Sequence, residues 1–252
     1  MNMRKTVKGI LQAGILLVAF GTSLMSQESR WAFISKDEMA KELEKMNSAY
    51  KNTPCFSVKV THTTFKNYTT TVPYDKSSGY FKKDGSNYHS YLMGIHTIQN
   101  KRYRIVIDSS KNLLMVANPS GDSSISVTTG DYLATLKICS SQKSYEINKE
   151  KHLRLDFKNY TYTTIEITLN DQGFLKEIVF YRSQESPGNG VVPNSPSSAP
   201  RMSVSFSDYR FGVSFSYKDE FDENRYFGRM DKKLVVREQY KNFKFLDERY
   251  LN

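Results

Sequence analysis

Short segments that alternate apolar and polar side chains follow one another from about residue 55 to the C-terminus. The alternation is clearest at Phe56, Val58 and Val60, and it is the pattern of half-buried β-strands. Turn residues separate the segments, as at Asp84 and Gly85, a pair that closes tight hairpins. Discounting the shortest segments, we predict about eleven strands, paired mainly as neighbouring antiparallel hairpins.

An amphipathic helix precedes the strands. Its start is marked by Ser35 and Glu38, which have the spacing of a capping box. A second, short helix is predicted over residues 132–137, with Thr129 or Asp131 as its cap. Apolar residues recur at helical spacing along the first helix and predict one stripe that packs on the sheet: Met39, Leu43, Met46 and Tyr50.

These elements predict an α+β fold in which a strongly curved antiparallel sheet, an incomplete β-barrel, carries both helices on its concave side. A sheet covered by so few helices must curl on itself or leave an apolar face for a ligand or partner. With 252 residues the chain suits a single domain, which we place at residues 27–252. Residues 183–200 contain four of the seven prolines and are predicted to form an exposed Pro/Ser/Gly-rich loop.

The first residues have the pattern of a targeting segment. Three basic side chains among the first eight residues precede an apolar stretch over residues 9–25, which is short for a membrane-spanning helix. We therefore predict a signal peptide over residues 1–26, cleaved near Ser26 or Ser23, and a soluble product in the periplasm. Without those three positive charges the formal net charge falls from +10 to +7. Two interpretations of this excess stay open: peripheral contact with anionic lipid headgroups, or solvated strand edges that discourage aggregation.

The chain has two cysteines, Cys55 and Cys139. An exported protein can form disulfides, so a bridge between these residues is one candidate, and two buried unpaired thiols are the alternative. Neither cysteine stands in a setting that marks a nucleophile.

No catalytic or metal-binding motif stands out in the sequence. The histidines lack the spacing of metal ligands, and His89 and His96, on a strand predicted over residues 88–99, are expected to face opposite sides. No serine nucleophile elbow and no glycine-rich phosphate loop occur. We therefore predict a non-enzymatic protein without cofactor or metal, and without a nucleic-acid partner, since no motif for one is present.

The apolar side chains are rich in aromatic residues and methionine, with 17 Tyr, 15 Phe and 9 Met. Two short helices cannot fully cover one apolar face of so many strands, so part of that face is predicted to line a cavity or groove. The candidate ligand-binding residues come from the first helix and the central strands: Met39, Leu43, Met46, Tyr91, Met93, Ile95, Ile105, Ile107, Leu114 and Val116.

One five-residue string, Phe-Lys-Asn-Tyr-Thr, occurs twice, at residues 65–69 and 157–161. Each copy follows an alternating strand. Because the flanking residues do not keep the same register, we interpret the string as a recurring turn and not as evidence of two related halves.

The order of these elements resembles the LolA-like superfamily of periplasmic lipoprotein carriers. The resemblance covers the helix over residues 36–50, the strand over residues 56–64, Gly-Tyr-Phe-Lys-Lys at residues 79–83 and the stretch over residues 97–108. It implies an incomplete barrel whose helices form a lid and whose apolar inside accepts acyl chains. The turn at Asn100 lacks the family's usual Asp-Gly, and no arginine is matched to the one that locks the family's lid, so no ligand-binding residue is transferred.

Two functional hypotheses follow. The first is an exported binding protein that holds a lipid, an acyl chain or a lipoprotein group in the concave sheet for transport in the cell envelope. The alternative is a protein-interaction subunit of an envelope or secretion complex that uses the same fold, with envelope proteins as its partners.

Overall fold

The computed structural model describes residues 30–119, 132–158, 160–183, 199–231 and 233–249, with residues 132–134 described by their backbone only. The predicted signal peptide, most of the predicted loop at residues 183–200, and both predicted caps of the second helix, Thr129 and Asp131, lie outside the described residues.

The described residues form fifteen strands, three α-helices and two short 3-10 turns. The helices are α1 (Lys36–Asn52), α2 (Tyr132–Ile138) and α3 (Tyr217–Glu220). The strands are β1 (Ala32–Phe33), β2 (Cys55–Phe65), β3 (Asp75–Asp84), β4 (Asn87–Leu92), β5 (Ile95–Gln99), β6 (Arg104–Asp108), β7 (Leu113–Ala117), β8 (Ser141–Ile147), β9 (Glu150–Asp156), β10 (Tyr162–Leu169), β11 (Leu175–Arg182), β12 (Arg201–Phe211), β13 (Phe227–Met230), β14 (Lys233–Val236) and β15 (Lys244–Asp247).

Thirteen of these strands form one sheet in the order β1-β8-β9-β10-β11-β12-β2-β3-β4-β5-β6-β7-β15. Two meanders, β2 to β7 and β8 to β12, meet where β12 pairs with β2. Neighbours are antiparallel except for β7 and β15, which run parallel. Because β1 and β15 are the two ends of the order, the curved sheet stays open, as the prediction of an incomplete barrel requires.

The expected number of about eleven strands was too low, and one reason is a hairpin that the sequence hides. The segment predicted as one strand over residues 88–99 is two strands, β4 and β5, joined by Met93 and Gly94. Both turn residues have positive φ, 51° and 80°, as a two-residue hairpin turn demands. Methionine is an uncommon residue for that conformation, so the pattern gave no turn signal at this position.

The capping box at the start of α1 is confirmed. The Ser35 hydroxyl accepts from the Glu38 backbone N–H at 3.2 Å, and the Glu38 carboxylate accepts from the Ser35 N–H at 2.8 Å. These two hydrogen bonds satisfy N–H groups that the first turn of a helix leaves without partners. The predicted stripe of α1 is buried, with 0 to 2% of each residue exposed: Met39, Leu43, Met46 and Tyr50.

A buried lysine caps the other end of α1. Lys83, on β3, is 5% exposed, and its ammonium donates to the backbone carbonyls of Tyr50 at 2.7 Å and Thr53 at 3.0 Å. A cation is favourable there, because the carbonyl end of a helix carries partial negative charge. Burial lowers the pKa of Lys83. The backbone carbonyls supply the hydrogen bonds that a buried ammonium requires.

The face of the sheet that carries α1 is called the helix face here, and its reverse the outer face. Alternation along the strands and the pairing register place every second residue on the helix face. Together with α1 and Leu136 of α2, these residues form the main core. Its strand members are Phe56, Val58, Val60, Phe81, Tyr88, Leu153, Leu155, Ile167, Leu169, Leu175, Ile178 and Phe206.

A second core lies on the outer face, over β5, β6 and β7. The chain after β12 returns across this end of the sheet, where the β13–β14 hairpin and the residues around it cover the strands. The buried members from the sheet are Ile98, Ile105, Ile107, Leu114 and Val116, and those from the loops and the C-terminal segment are Tyr103, Tyr226, Phe227 and Leu234. The sheet is therefore covered on its helix face in one half and on its outer face in the other.

The candidate disulfide is not formed. Cys55 lies at the start of β2 on the outer face, where its thiol donates to the carboxylate of Asp84 at 3.1 Å. Cys139 is buried in the main core, on the helix face. Since the sheet separates the two side chains, the alternative of two unpaired thiols is the one that the structure has.

Candidate functional site

An apolar row crosses the helix face beyond the end of the cover that α1 provides. Ile165 pairs with Phe180 and Phe180 pairs with Met202, so three neighbouring strands present these side chains side by side. All three are half-buried. In the next row on the same face, closer to α1, Ile167 and Ile178 are 7 to 8% exposed and Val204 is half-buried. Along β10 and β11 burial thus falls while the side chains stay apolar, which leaves a partly covered apolar surface continuous with the core.

The ten residues predicted to bind a ligand do not come together on one face. Met39, Leu43 and Met46 are in the main core, whereas Tyr91 is half-buried on the outer face. The others lie in the second core on the outer face, at the exposed β4–β5 turn, or at the start of β5: Ile105, Ile107, Leu114 and Val116 in the core, Met93 57% exposed, and Ile95 38% exposed. Their part in ligand binding stays a prediction.

The row of Ile165, Phe180 and Met202 was missed from sequence. Its signal was present in the alternation of Ile165 and Ile167, but the row is assembled by pairing between strands, which alternation within one strand does not show. Met202 follows the predicted loop and was the first apolar position of its strand.

A group of ionisable side chains lies on the outer face, beside the second core. The hairpin at Met93 turns β5 back along β4, so His89 and His96 face the same side, with Nε2 and Nδ1 3.2 Å apart. The expectation of opposite faces was wrong because it assumed one continuous strand. Glu220 of α3 accepts from His89 Nδ1 at 3.0 Å and pairs with Lys82.

Burial sets the charge state of these histidines. It lowers the pKa of His89, against the opposing effect of Glu220, and it lowers the pKa of His96. A neutral His89 ring that donates from Nδ1 has Nε2 free to accept, and the Tyr80 hydroxyl lies 3.2 Å from it. The group therefore ties α3 to β3 and β4 by hydrogen bonds.

A polar groove of about 490 Å³ opens on the outer face of β8 to β11. The Tyr145 and His152 rings stack at 4.3 Å on one side of it. At its floor Arg154 donates to Glu166 at 3.4 Å and the Tyr181 hydroxyl donates to the other oxygen at 3.1 Å. Burial raises the pKa of Glu166, while Arg154 opposes that shift. Both carboxylate oxygens have partners from the protein itself, so the groove is held by its own side chains.

Within the described ranges, no group of three or more His, Cys, Asp or Glu side chains is placed to hold a metal ion. In that same part of the chain, no helix is both long enough and apolar enough to cross a bilayer.

The fold is an open, curved and mostly antiparallel sheet with α1 and α2 on its helix face. Solved structures of similar fold are known. A LolA superfamily protein from Nitrosomonas europaea is 14% identical, with 73% of this chain and 98% of that chain covered at a TM-score of 0.32. An uncharacterized conserved protein from Thermus thermophilus is 8% identical, with 79% and 99% covered at a TM-score of 0.43. The lipoprotein LppX from Mycobacterium tuberculosis is 8% identical, with 71% and 99% covered at a TM-score of 0.36.

No protein-family model and no curated protein matches the chain in sequence. The protein from Nitrosomonas europaea is named for the superfamily that the order of elements in this sequence resembles. Similarities of this size transfer neither a ligand nor an activity to this chain.

Proposed function

We propose that the protein holds the apolar chain of a lipid, or of an acylated protein, against the helix face, and that it does so as a soluble, non-enzymatic carrier in the periplasm. The observation that supports this proposal is the row of Ile165, Phe180 and Met202, which continues the main core but is only half covered. An acyl chain laid along this row would complete the cover that α1 begins. Burial of apolar surface is the driving force for such binding.

The proposed ligand site differs from the one predicted from sequence. Met39, Leu43 and Met46 pack fully against the strands, so an acyl chain would reach them only if α1 moved away from the sheet. Ile165, Phe180 and Met202 require no such movement. We therefore assign first contact with the ligand to the row, and the α1 stripe to a second stage in which the helix acts as a lid.

The test combines the native ligand with a matched pair of variants. Organic extraction of the purified protein, followed by mass spectrometry, is expected to release a lipid, and a fluorescent fatty acid is expected to bind the delipidated protein. Met202→Gln keeps the length of the side chain but removes apolar surface, and it is expected to weaken the fatty acid about fivefold, or about 1 kcal/mol. Met230→Gln is the control, because Met230 is 65% exposed on β13 and lies outside the thirteen-stranded sheet.

Two results would contradict the proposal. One is a protein that contains no extractable lipid and binds no fatty acid. The other is an equal loss of affinity in Met202→Gln and Met230→Gln, which would show that the row is not the contact.

A protein partner is the second candidate, and the edge of the sheet favours it. β1 has two residues and is the outermost strand on its side, and its Phe33 is 74% exposed. An edge of this kind can pair with a strand from another protein. Co-purification of an envelope protein that survives detergent and is lost in Phe33→Ser would support this function over lipid carriage.

A further inference from the structure

The two copies of the string Phe-Lys-Asn-Tyr-Thr meet at the same end of the sheet. Phe65 closes β2 and pairs with Arg201, which pairs with Tyr181. Asp156 closes β9 and pairs with Thr164 of β10, whose partner on β11 is again Tyr181. These pairs form one line across five neighbouring strands. The first copy of the string begins on that line, at Phe65, and the second copy begins directly after it, at residue 157. The recurring turn read from the sequence is thus also a recurring position.

Each copy of the string lies in a loop, and the longer loop, between β2 and β3, is held by hydrogen bonds to neighbouring strands. The Tyr68 hydroxyl donates to the backbone carbonyl of Arg182 and lies 3.2 Å from the Thr163 hydroxyl. The Tyr68 ring meets the Tyr181 ring edge-on at 4.9 Å. Arg201 donates to the carbonyl of Thr70 at 2.9 Å. This loop between β2 and β3 is thereby fixed across β12 to the ends of β10 and β11.

Two kinds of side chain are exposed at this end of the sheet: aromatic or aliphatic ones, and basic ones. Val72 is 72% exposed, Tyr74 68% and Tyr160 46%. Four cations are exposed beside them, and within the described residues none of the four forms a salt bridge. We call these seven side chains the rim: Lys66, Val72, Tyr74, Lys76, Lys158, Tyr160 and Arg182.

The charge of the rim is specific to this end of the sheet. Asp75 is an exposed anion here, so four positive charges face one negative charge. At the opposite end of β8 to β12 the exposed charges cancel, because three cations are accompanied by three anions: Lys149, Lys176 and Arg210, and Glu146, Asp171 and Asp208. At this end of the sheet the excess positive charge therefore lies beside the exposed rings of Tyr74 and Tyr160.

We propose that the rim is a docking surface for an anionic phospholipid bilayer. Tyrosine rings favour the boundary between headgroups and acyl chains, and basic side chains are attracted to anionic headgroups. A basic side chain and a tyrosine ring lie side by side in the rim, where the Lys66 ammonium is 5.2 Å from the centre of the Tyr74 ring. The inference goes beyond ligand binding, because it names the surface that contacts the membrane.

The position of the rim links it to the apolar row. Met202 of the row immediately follows Arg201, which pairs with Phe65 at the start of the first string. Phe180 is likewise two residues from Arg182 of the rim. A protein docked by the rim would hold the end of the row at the membrane surface, where an acyl chain leaves or enters the bilayer. This link rests on the proposed function, whereas docking itself does not.

Sedimentation with vesicles tests the proposal on the purified protein. Vesicles of phosphatidylcholine with phosphatidylglycerol are expected to bind it in a salt-sensitive manner, and vesicles of phosphatidylcholine alone to bind it much more weakly. Lys66→Gln/Lys158→Gln is expected to weaken binding about 25-fold, at about fivefold for each basic side chain. The control is Lys41→Gln/Lys101→Gln, which removes the same charge from two exposed lysines outside the rim and is expected to change binding less than about twofold.

The aromatic contribution is tested separately, with Tyr74→Ser/Tyr160→Ser, which keeps the charge and is expected to weaken binding to the anionic vesicles. Because every substituted side chain is exposed, unchanged circular dichroism is expected. Equal weakening by the two lysine pairs would overturn the proposal in favour of a diffuse charge effect. Equal binding to both kinds of vesicle, or to neither, would overturn it as well.

Fatty-acid uptake in solution, measured on the same variants, separates this inference from the proposed function. The Lys66→Gln/Lys158→Gln protein is expected to bind the fatty acid as the unaltered protein does. If no fatty acid binds but the vesicles still require the rim, lipid carriage fails and docking stands. If the fatty acid binds but the vesicles do not, docking fails and lipid carriage stands.

Discussion

A closed ring of hydrogen bonds fixes the last turn of α1 to the sheet. The backbone N–H of Leu175 donates to the Tyr50 hydroxyl at 3.1 Å, and the Tyr209 hydroxyl donates to the Leu175 carbonyl at 2.9 Å. The two hydroxyl oxygens are 2.6 Å apart. Since the Tyr209 hydrogen is used on Leu175, Tyr50 is the donor to Tyr209. Burial raises the pKa of Tyr50 to about 12, so this donor keeps its proton at neutral pH.

Removal of the Tyr50 oxygen alone is the perturbation that tests this ring. Tyr50→Phe loses two hydrogen bonds, each contributing about 0.5–1.5 kcal/mol to stability. It also leaves the N–H of Leu175, a residue with 0% exposure, without that partner, which costs about 1–3 kcal/mol. These contributions overlap, so we expect the free energy of unfolding to fall by about 2–4 kcal/mol.

Urea unfolding followed by circular dichroism measures this change, with Tyr74→Phe as the control. Tyr74 is 68% exposed, so its substitution is expected to change the free energy of unfolding by less than about 0.5 kcal/mol. In the double variant Tyr50→Phe/Tyr209→Phe the shared hydrogen bond is lost only once, so the cost should be about 1 kcal/mol below the sum of the single costs. Additive single costs, or a Tyr50→Phe cost equal to that of the control, would refute the ring as a source of stability.

Three further predictions concern the sheet. Met93→Asn should raise the free energy of unfolding by about 1 kcal/mol, because asparagine adopts positive φ more readily than methionine at this hairpin turn; a lower value in urea unfolding would contradict this. Gly79→Ala should lower it by more than about 2 kcal/mol, because a Cβ there overlaps the Tyr91 carbonyl oxygen, and wild-type stability would show that the strands separate freely. Burial lowers the pKa of His89 and His96 below 6.5, so the unfolded chain binds more protons below that pH and stability should fall as the pH drops from about 7 to 5. In a His89→Gln/His96→Gln variant the free energy of unfolding should depend less on pH over this range. An unchanged pH dependence would show that these histidines are not its source.

The helix was predictable because its signals are local. The two partners of the capping box, Ser35 and Glu38, are three residues apart, so a short stretch of sequence contains both donor and acceptor. The apolar stripe that ends at Tyr50 likewise lies within this one helix. What the sequence does not contain is the cap at the other end. Lys83 reaches the last carbonyls of α1 only because β3 pairs with β2, and a lysine in a strand pattern normally predicts an exposed side chain.

The candidate site was less predictable. Alternation shows that one side of a strand is apolar, but it does not say whether that side lies on the helix face or on the outer face of the sheet. Ile105 and Leu114 alternate as cleanly as Leu153 and Ile167, yet the first pair lies on the outer face and the second on the helix face. The segment that packs over each pair determines which face is buried. The first pair lies beneath the C-terminal segment, which includes Phe227, and the second beneath α1. A single apolar face across all strands was therefore the wrong assumption, and it placed residues of both cores in one ligand site.

The distribution of cover also explains why the partly covered row is where it is. α1 crosses the helix face from its cap at Ser35 to the ring at Tyr50, and the side chains beneath it are buried. Ile165 and Phe180 lie one pair further along their strands than Ile167 and Ile178, and they remain apolar although burial falls there. Both side chains pack against the main core with one part of their surface and leave the rest exposed. Apolar residues at a partly exposed position, beside an end of the sheet with excess positive charge, are what the proposed uptake of an acyl chain from an anionic surface requires.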